Sequence, residues 1–76
     1  MELHEFITNF ANQFDDTDIS EFNSETNFRN LDEWSSLTAL AVLNMIEKKY
    51  DVKLKAEEMR TTNTIQQLFD LIQSKQ

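Results

Sequence analysis

Asp32-Glu33-Trp34-Ser35-Ser36-Leu37 runs directly into Thr38–Tyr50, and the reading of this junction decides the fold. The second stretch carries Leu40, Leu43, Ile46 and Tyr50 at helical spacing, with Val42 and Met45 beside them, so a helix is expected from Ser36 to about Tyr50. Ser35 is the expected N-cap, because its hydroxyl can accept from a free backbone N–H of the first turn. Asp32 and Glu33 lie where the helix dipole favours negative charge. The apolar surface is wider than a single core-facing stripe requires, which leaves part of it for a partner.

Upstream, Leu3, Phe6, Ile7, Phe10, Ala11 and Phe14 follow the i, i+3, i+4 rhythm of an amphipathic helix. His4 falls on the edge of that face and reads as a surface histidine. From Asp15 to Ser35 the periodicity dissolves into polar and acidic residues, among which Ile19, Phe22, Phe28, Leu31 and Trp34 recur. So long a connection in a small domain is packed down by its own side chains, and these five are the expected anchors. Asp16, Asp18 and Ser20 match the first alternating ligands of a calcium loop. Glu21 and Asn27 then stand where that loop needs glycine and a bidentate glutamate, so the acids read as solvated charge.

Downstream, Asp51-Val52-Lys53-Leu54-Lys55 is expected to be an extended connector that tucks Val52 and Leu54 into the core. Glu57–Arg60 suits a single helical turn. Asn63, with Gln66 three residues later, suggests a capping box for a last helix whose apolar face is Ile65, Leu68, Phe69 and Ile72. The expected fold is all-α: a small bundle of three main helices plus one short helix, with a long first loop.

Composition narrows the function classes. Seventy-six residues make one domain that buries only about 60% of its unfolded surface, so the core must be small. The chain has no glycine and no proline, which excludes phosphate-cradling glycine loops and dinucleotide fingerprints. It has no cysteine, which excludes disulfides, thiolate metal sites and a cysteine nucleophile. No signal peptide or membrane span is read, and a cytoplasmic location is expected. The net charge of −7 is unevenly spread: in residues 1–36 Glu2, Glu5, Asp15, Asp16, Asp18, Glu21, Glu25, Asp32 and Glu33 face Arg29 alone, whereas residues 37–76 hold five acids against six bases. That field disfavours nucleic acid and favours basic protein surfaces.

An enzyme's nucleophile at Ser36 would need a base and an orienting group. The sole histidine, His4, lies on another helix, so autonomous hydrolysis is not expected and a helix-capping serine is the default reading. The order of elements offers another. An amphipathic first helix, a long loop with Phe28 in its later part, a serine opening the second helix, an extended Val52-Lys53-Leu54 piece, a short helix and a last helix opening with Thr62-Asn63-Thr64-Ile65 together resemble the acyl carrier proteins. The family motif Asp-Ser-Leu falls on Ser35-Ser36-Leu37.

The resemblance implies that Ser36 carries 4′-phosphopantetheine, transferred from coenzyme A by a phosphopantetheinyl transferase, and that the cofactor's thiol holds acyl groups as thioesters. It implies a non-catalytic partner for an acyl ligase or acyltransferase and other acyl-processing enzymes, in a specialised fatty acid, polyketide or related pathway. The start at Met1 and the end soon after the last helix suggest a free-standing carrier, and a monomer is expected. Partner recognition would fall on Leu37, Leu40, Ala41, Asn44 and Glu47 of the second helix, and on Trp34, whose other reading is a loop anchor. Two departures mark this chain. Ser35 replaces the motif aspartate and is the alternative attachment position. The second-helix face reads Leu40, Ala41, Asn44, Glu47, Lys48 instead of a row of glutamates, which suggests partners other than the housekeeping fatty-acid enzymes. An acidic helical interaction module that kept the fold and lost the cofactor is the rival reading.

Overall fold

A computed structural model describes residues 2–76 of the chain. Four α-helices form, α1 (Leu3–Ala11), α2 (Ser36–Tyr50), α3 (Ala56–Met59) and α4 (Ile65–Lys75), with no strand among the described residues. α1, α2 and α4 bury the stripes their spacing marks out. Phe6 and Phe10 of α1, Val42 and Ile46 of α2, and Ile65, Leu68 and Ile72 of α4 are wholly excluded from solvent. Val52 and Leu54 are buried from the connector, as the alternation there implies.

Three boundaries differ from the sequence reading, each for a local reason. α1 stops at Ala11, three residues short of Phe14. The N–H groups of Gln13 and Phe14 bond instead to the carbonyls of Phe10 (3.1 Å) and Ala11 (3.0 Å), a tightened turn that still delivers Phe14 to the core. α3 spans Ala56–Met59, one residue earlier than Glu57–Arg60, because the Glu58 carboxylate accepts from the Lys55 N–H at 3.1 Å and sets the start of the helix. The cap of α4 is Thr64 and not Asn63: the Thr64 hydroxyl accepts from the Gln67 N–H at 3.2 Å, and Gln67 Oε1 accepts from the N–H groups of Thr64 (3.3 Å) and Asn63 (2.8 Å). The capping box exists one residue downstream, since Thr64 is held extended by an isolated antiparallel bridge to Asn27.

That bridge belongs to a seam that fastens the first loop to the start of α4. The Phe28 N–H bonds to the Asn63 carbonyl (3.2 Å), the Ile65 N–H to Thr26 (3.2 Å) and the Gln66 N–H to Ser24 (2.9 Å). Arg29 adds its guanidinium, donating from Nε to the Thr62 carbonyl (3.0 Å) and from Nη2 to the Met59 carbonyl (3.2 Å). Two 3-10 turns, Ile19–Glu21 and Phe28–Asn30, shape the rest of the loop. Of the five expected anchors, Phe22 and Phe28 are buried and Leu31 and Trp34 pack against the core, but Ile19 is not an anchor: it is 55% exposed on the outer side of its turn. The radius of gyration is 11.1 Å, against about 11 Å for a compact chain of this length, so the loop is folded down onto the bundle.

Without glycine, α2 must end on another residue. Asp51 takes the left-handed conformation (φ 56°, ψ 38°), and its N–H closes the helix on the Glu47 carbonyl at 3.1 Å. A Cβ is disfavoured there, whereas glycine is not. Asp51→Gly is therefore expected to raise stability by about 0.5–1 kcal/mol, measurable by urea denaturation.

Candidate functional site

The start of α2 carries two adjacent hydroxyls in different situations. Ser35 is extended (φ −153°, ψ 176°), and its Oγ accepts from the Thr38 N–H at 3.3 Å, which makes it the N-cap. Thr38 in turn donates its hydroxyl to the Glu33 carbonyl at 2.8 Å, fixing the approach to the helix. Ser36 is the first helical residue. Its side chain is exposed, and among the described residues its hydroxyl takes part in no hydrogen bond. The first N–H groups of a helix lack intrahelical partners, so an anion on the Ser36 oxygen meets free donors and the positive end of the helix dipole.

Glu33 does not serve the helix start in the way its sequence position suggests. Its carboxylate turns back to the beginning of the loop, accepting from the Thr17 hydroxyl and from the N–H groups of Asp16 (2.9 Å) and Asp15 (3.1 Å). The Thr17 hydrogen bond first, then those from the backbone, hold its pKa below the usual 4.5. Asp18 is likewise lowered by the backbone and side chain of Ser20, whose N–H it caps at 2.9 Å. These acids are engaged in shaping the loop, and among the described residues no group of three His, Cys, Asp or Glu is placed to hold a metal ion. A carboxyl whose folded pKa is depressed stabilises fully above its unfolded pKa and loses that contribution as the pH falls through the folded value. Glu33→Gln is thus expected to lower the melting temperature at pH 7 and to flatten the acid-side fall of stability below about pH 4.5. Melting curves from pH 7 to pH 3 check this, and an unchanged acid limb would count against the loop clasp.

Beside Ser36 a groove of about 450 Å³ runs between α2 and α3. Trp34, Ala39, Leu40, Leu43, Ala56 and Met59 give it apolar walls, Ser35 and Ser36 open onto it, and Arg29 and Arg60 are the charged residues that line it. Among the described residues, no carboxylate or imidazole lines the groove. His4 is exposed on the first turn of α1.

The residues singled out for partner recognition divide by exposure. Leu37 is 80% exposed and Leu40 55%, the two large apolar side chains that α2 leaves to solvent. Asn44 and Glu47 are exposed on the same helix and Ala41 is half-buried. Trp34 is packed against the core: its ring stacks on Phe10 at 6.4 Å and 8°, and lies 4.8 Å from Phe28. It is the anchor of the loop, with one edge left to the groove. The sequence reading passed over Arg29, Arg60, Ala56 and Met59 as site residues. Only Arg29 gave a signal, as the lone base among the first 36 residues.

A family model described as "Phosphopantetheine attachment site" matches residues 5–72. No curated protein and no solved structure matches the chain. The matched span takes in all of α2 and α3, nearly all of α1 and most of α4.

Proposed function

The chain belongs to the phosphopantetheine attachment family, whose members are carriers of covalent 4′-phosphopantetheine, and from that premise we propose that Ser36 bears the arm and that the protein passes acyl groups between enzymes as thioesters. The observation that carries the choice of serine is the contrast within the pair: the Ser35 hydroxyl caps α2, while the Ser36 hydroxyl is exposed and unengaged. A phosphodiester at Ser36 costs the fold no hydrogen bond. One at Ser35 would remove the cap, at about 1 kcal/mol.

In the attachment step the Ser36 oxygen forms a bond to the β-phosphorus of coenzyme A, the bond from that phosphorus to the pyrophosphate bridging oxygen breaks, and 3′,5′-ADP leaves. The hydroxyl proton passes to a base of the transferase, since among the described residues no carboxylate or imidazole lines the groove beside Ser36. The attached arm supplies the thiol that the polypeptide lacks. This chain's own contribution is to hold the serine at a fixed helix start, through the Thr38 and Glu33 contacts, and to present α2 to the enzymes that act on the arm.

Leu37 and Leu40 supply the apolar part of that presented face, with Ala41, Asn44 and Glu47 continuing it along α2. Glu47 is the one acid among them, and Lys48 follows it. Such a face fits partners that bind mainly by apolar contact with few charge pairs, and supports a specialised acyl pathway over one built on basic docking patches. Incubation with a broad-specificity transferase, coenzyme A and magnesium is expected to add the mass of one phosphopantetheinyl group, and Ser36→Ala to add none. Retention of the full gain in Ser36→Ala would overturn the choice of serine.

A further inference from the structure

The groove beside Ser36 is an electrostatic exception. The chain carries a net charge of −7, yet the charged side chains that line the groove are both arginines. They come from different elements and meet at the carboxyl end of α3. Arg29 reaches there from the loop and is held by two backbone carbonyls, Thr62 at 3.0 Å and Met59 at 3.2 Å. Arg60 is the C-cap of α3: its backbone N–H bonds to the Ala56 carbonyl at 3.1 Å, while its exposed side chain makes no hydrogen bond or ion pair among the described residues. The bonds of Arg29 explain its place as a fastening of the seam. The Arg60 guanidinium, by contrast, sits at the carboxyl end of α3, where a cation suits the helix dipole, and is left without a hydrogen-bonding partner among the described residues.

Resting on the reading that Ser36 carries the arm, we propose that Arg60, backed by Arg29, is the counter-charge for the phosphodiester on Ser36 and lays the root of the arm into the α2–α3 groove. Three features converge on that anion. The helix start would supply free N–H donors, the guanidinium of Arg60 could donate to phosphate oxygens, and Arg29 would keep the local potential positive, all three lining the groove that Ser36 opens onto. Arg60 is thus a positioning residue. It sets the direction in which the arm leaves Ser36, along the apolar wall formed by Leu40, Leu43 and Met59.

The test compares the holo forms of the unaltered protein, Arg60→Gln and Arg60→Lys, each first weighed to establish the phosphopantetheinyl gain. Phosphorus and arginine Nε–H NMR signals are then followed from about 20 mM to about 1 M NaCl, where the Debye length contracts to about 3 Å. In the unaltered holo protein the Arg60 Nε–H signal is expected to move on conversion from apo to holo, and the phosphorus signal to drift back toward that of free pantetheine phosphodiester as salt rises. Arg60→Gln should give the free position at every salt concentration, and Arg60→Lys should retain part of the displacement. Arg60 is exposed, so neither variant threatens the core. Identical phosphorus and arm signals in the unaltered and Arg60→Gln holo proteins, with the mass gain intact in both, would overturn the role of Arg60 and leave the assignment of Ser36 standing. Absence of the mass gain from the unaltered protein would overturn both.

Discussion

Phe10→Ala is expected to remove about 3–5 kcal/mol of stability, the usual cost of truncating a fully buried phenylalanine. Phe10 has no solvent exposure, and its ring lies within 6.4 Å of those of Phe6, Phe14, Phe22, Phe28 and Trp34. It therefore joins α1 to both halves of the first loop and to the residue that precedes the serine pair. A chain of this size has roughly 4–11 kcal/mol in all, so the loss takes a large share of the total and lowers the melting point by on the order of 20 °C. Thermal unfolding followed by Trp34 fluorescence reads the change at the ring that stacks on Phe10. A loss below about 1 kcal/mol would mean that the loop is not held by this cluster.

Leu37→Ala is expected to do the opposite, leaving stability within about 0.5 kcal/mol of the original while impairing function. Leu37 is 80% exposed beside Ser36 and touches the core little, so its side chain is available to a partner. Burying an exposed leucine side chain against a partner removes its apolar area from water, and truncating it to alanine forfeits most of that contribution. A loss of about 1.4 kcal/mol in transition-state binding corresponds to roughly a tenfold fall in kcat/KM for the transferase. Steady-state kinetics at limiting apo-protein checks this, together with a melting curve to show that the fold is intact. Equal kcat/KM for the two proteins would remove Leu37 from the recognition surface.

The contrast between these two residues shows what the sequence could and could not disclose. Phe10 and Leu37 are both large and apolar, and periodicity alone sorts the first inward, because α1 is amphipathic and its stripe is narrow. In α2 the apolar residues spread round much of the helix, and the split between buried Val42, Met45 and Ile46 and exposed Leu37 and Leu40 depends on where α1 and α3 lie. Helix starts were legible where a side chain caps locally, as at Ser35. They were misplaced by one residue at Thr64, where a long-range bridge to Asn27 chooses the cap. The groove was not legible. Its two cations are 31 positions apart in sequence, Arg29 and Arg60, and only the seam between the first loop and the start of α4 brings them to one end of α3. The end of α2 at Tyr50 was legible, but not the residue that closes it, because Asp51 fills a left-handed position that sequence patterns assign to glycine.

The division of labour within the serine pair remains the point on which the function turns. Ser35 stands where the family motif has aspartate and keeps the capping half of that residue's role without its charge. Tandem mass spectrometry of the proteolysed holo protein locates the modification directly. A phosphopantetheinyl group found wholly on Ser36, with Ser35 unmodified, is the predicted result; a group on Ser35, or none on either serine, would contradict it.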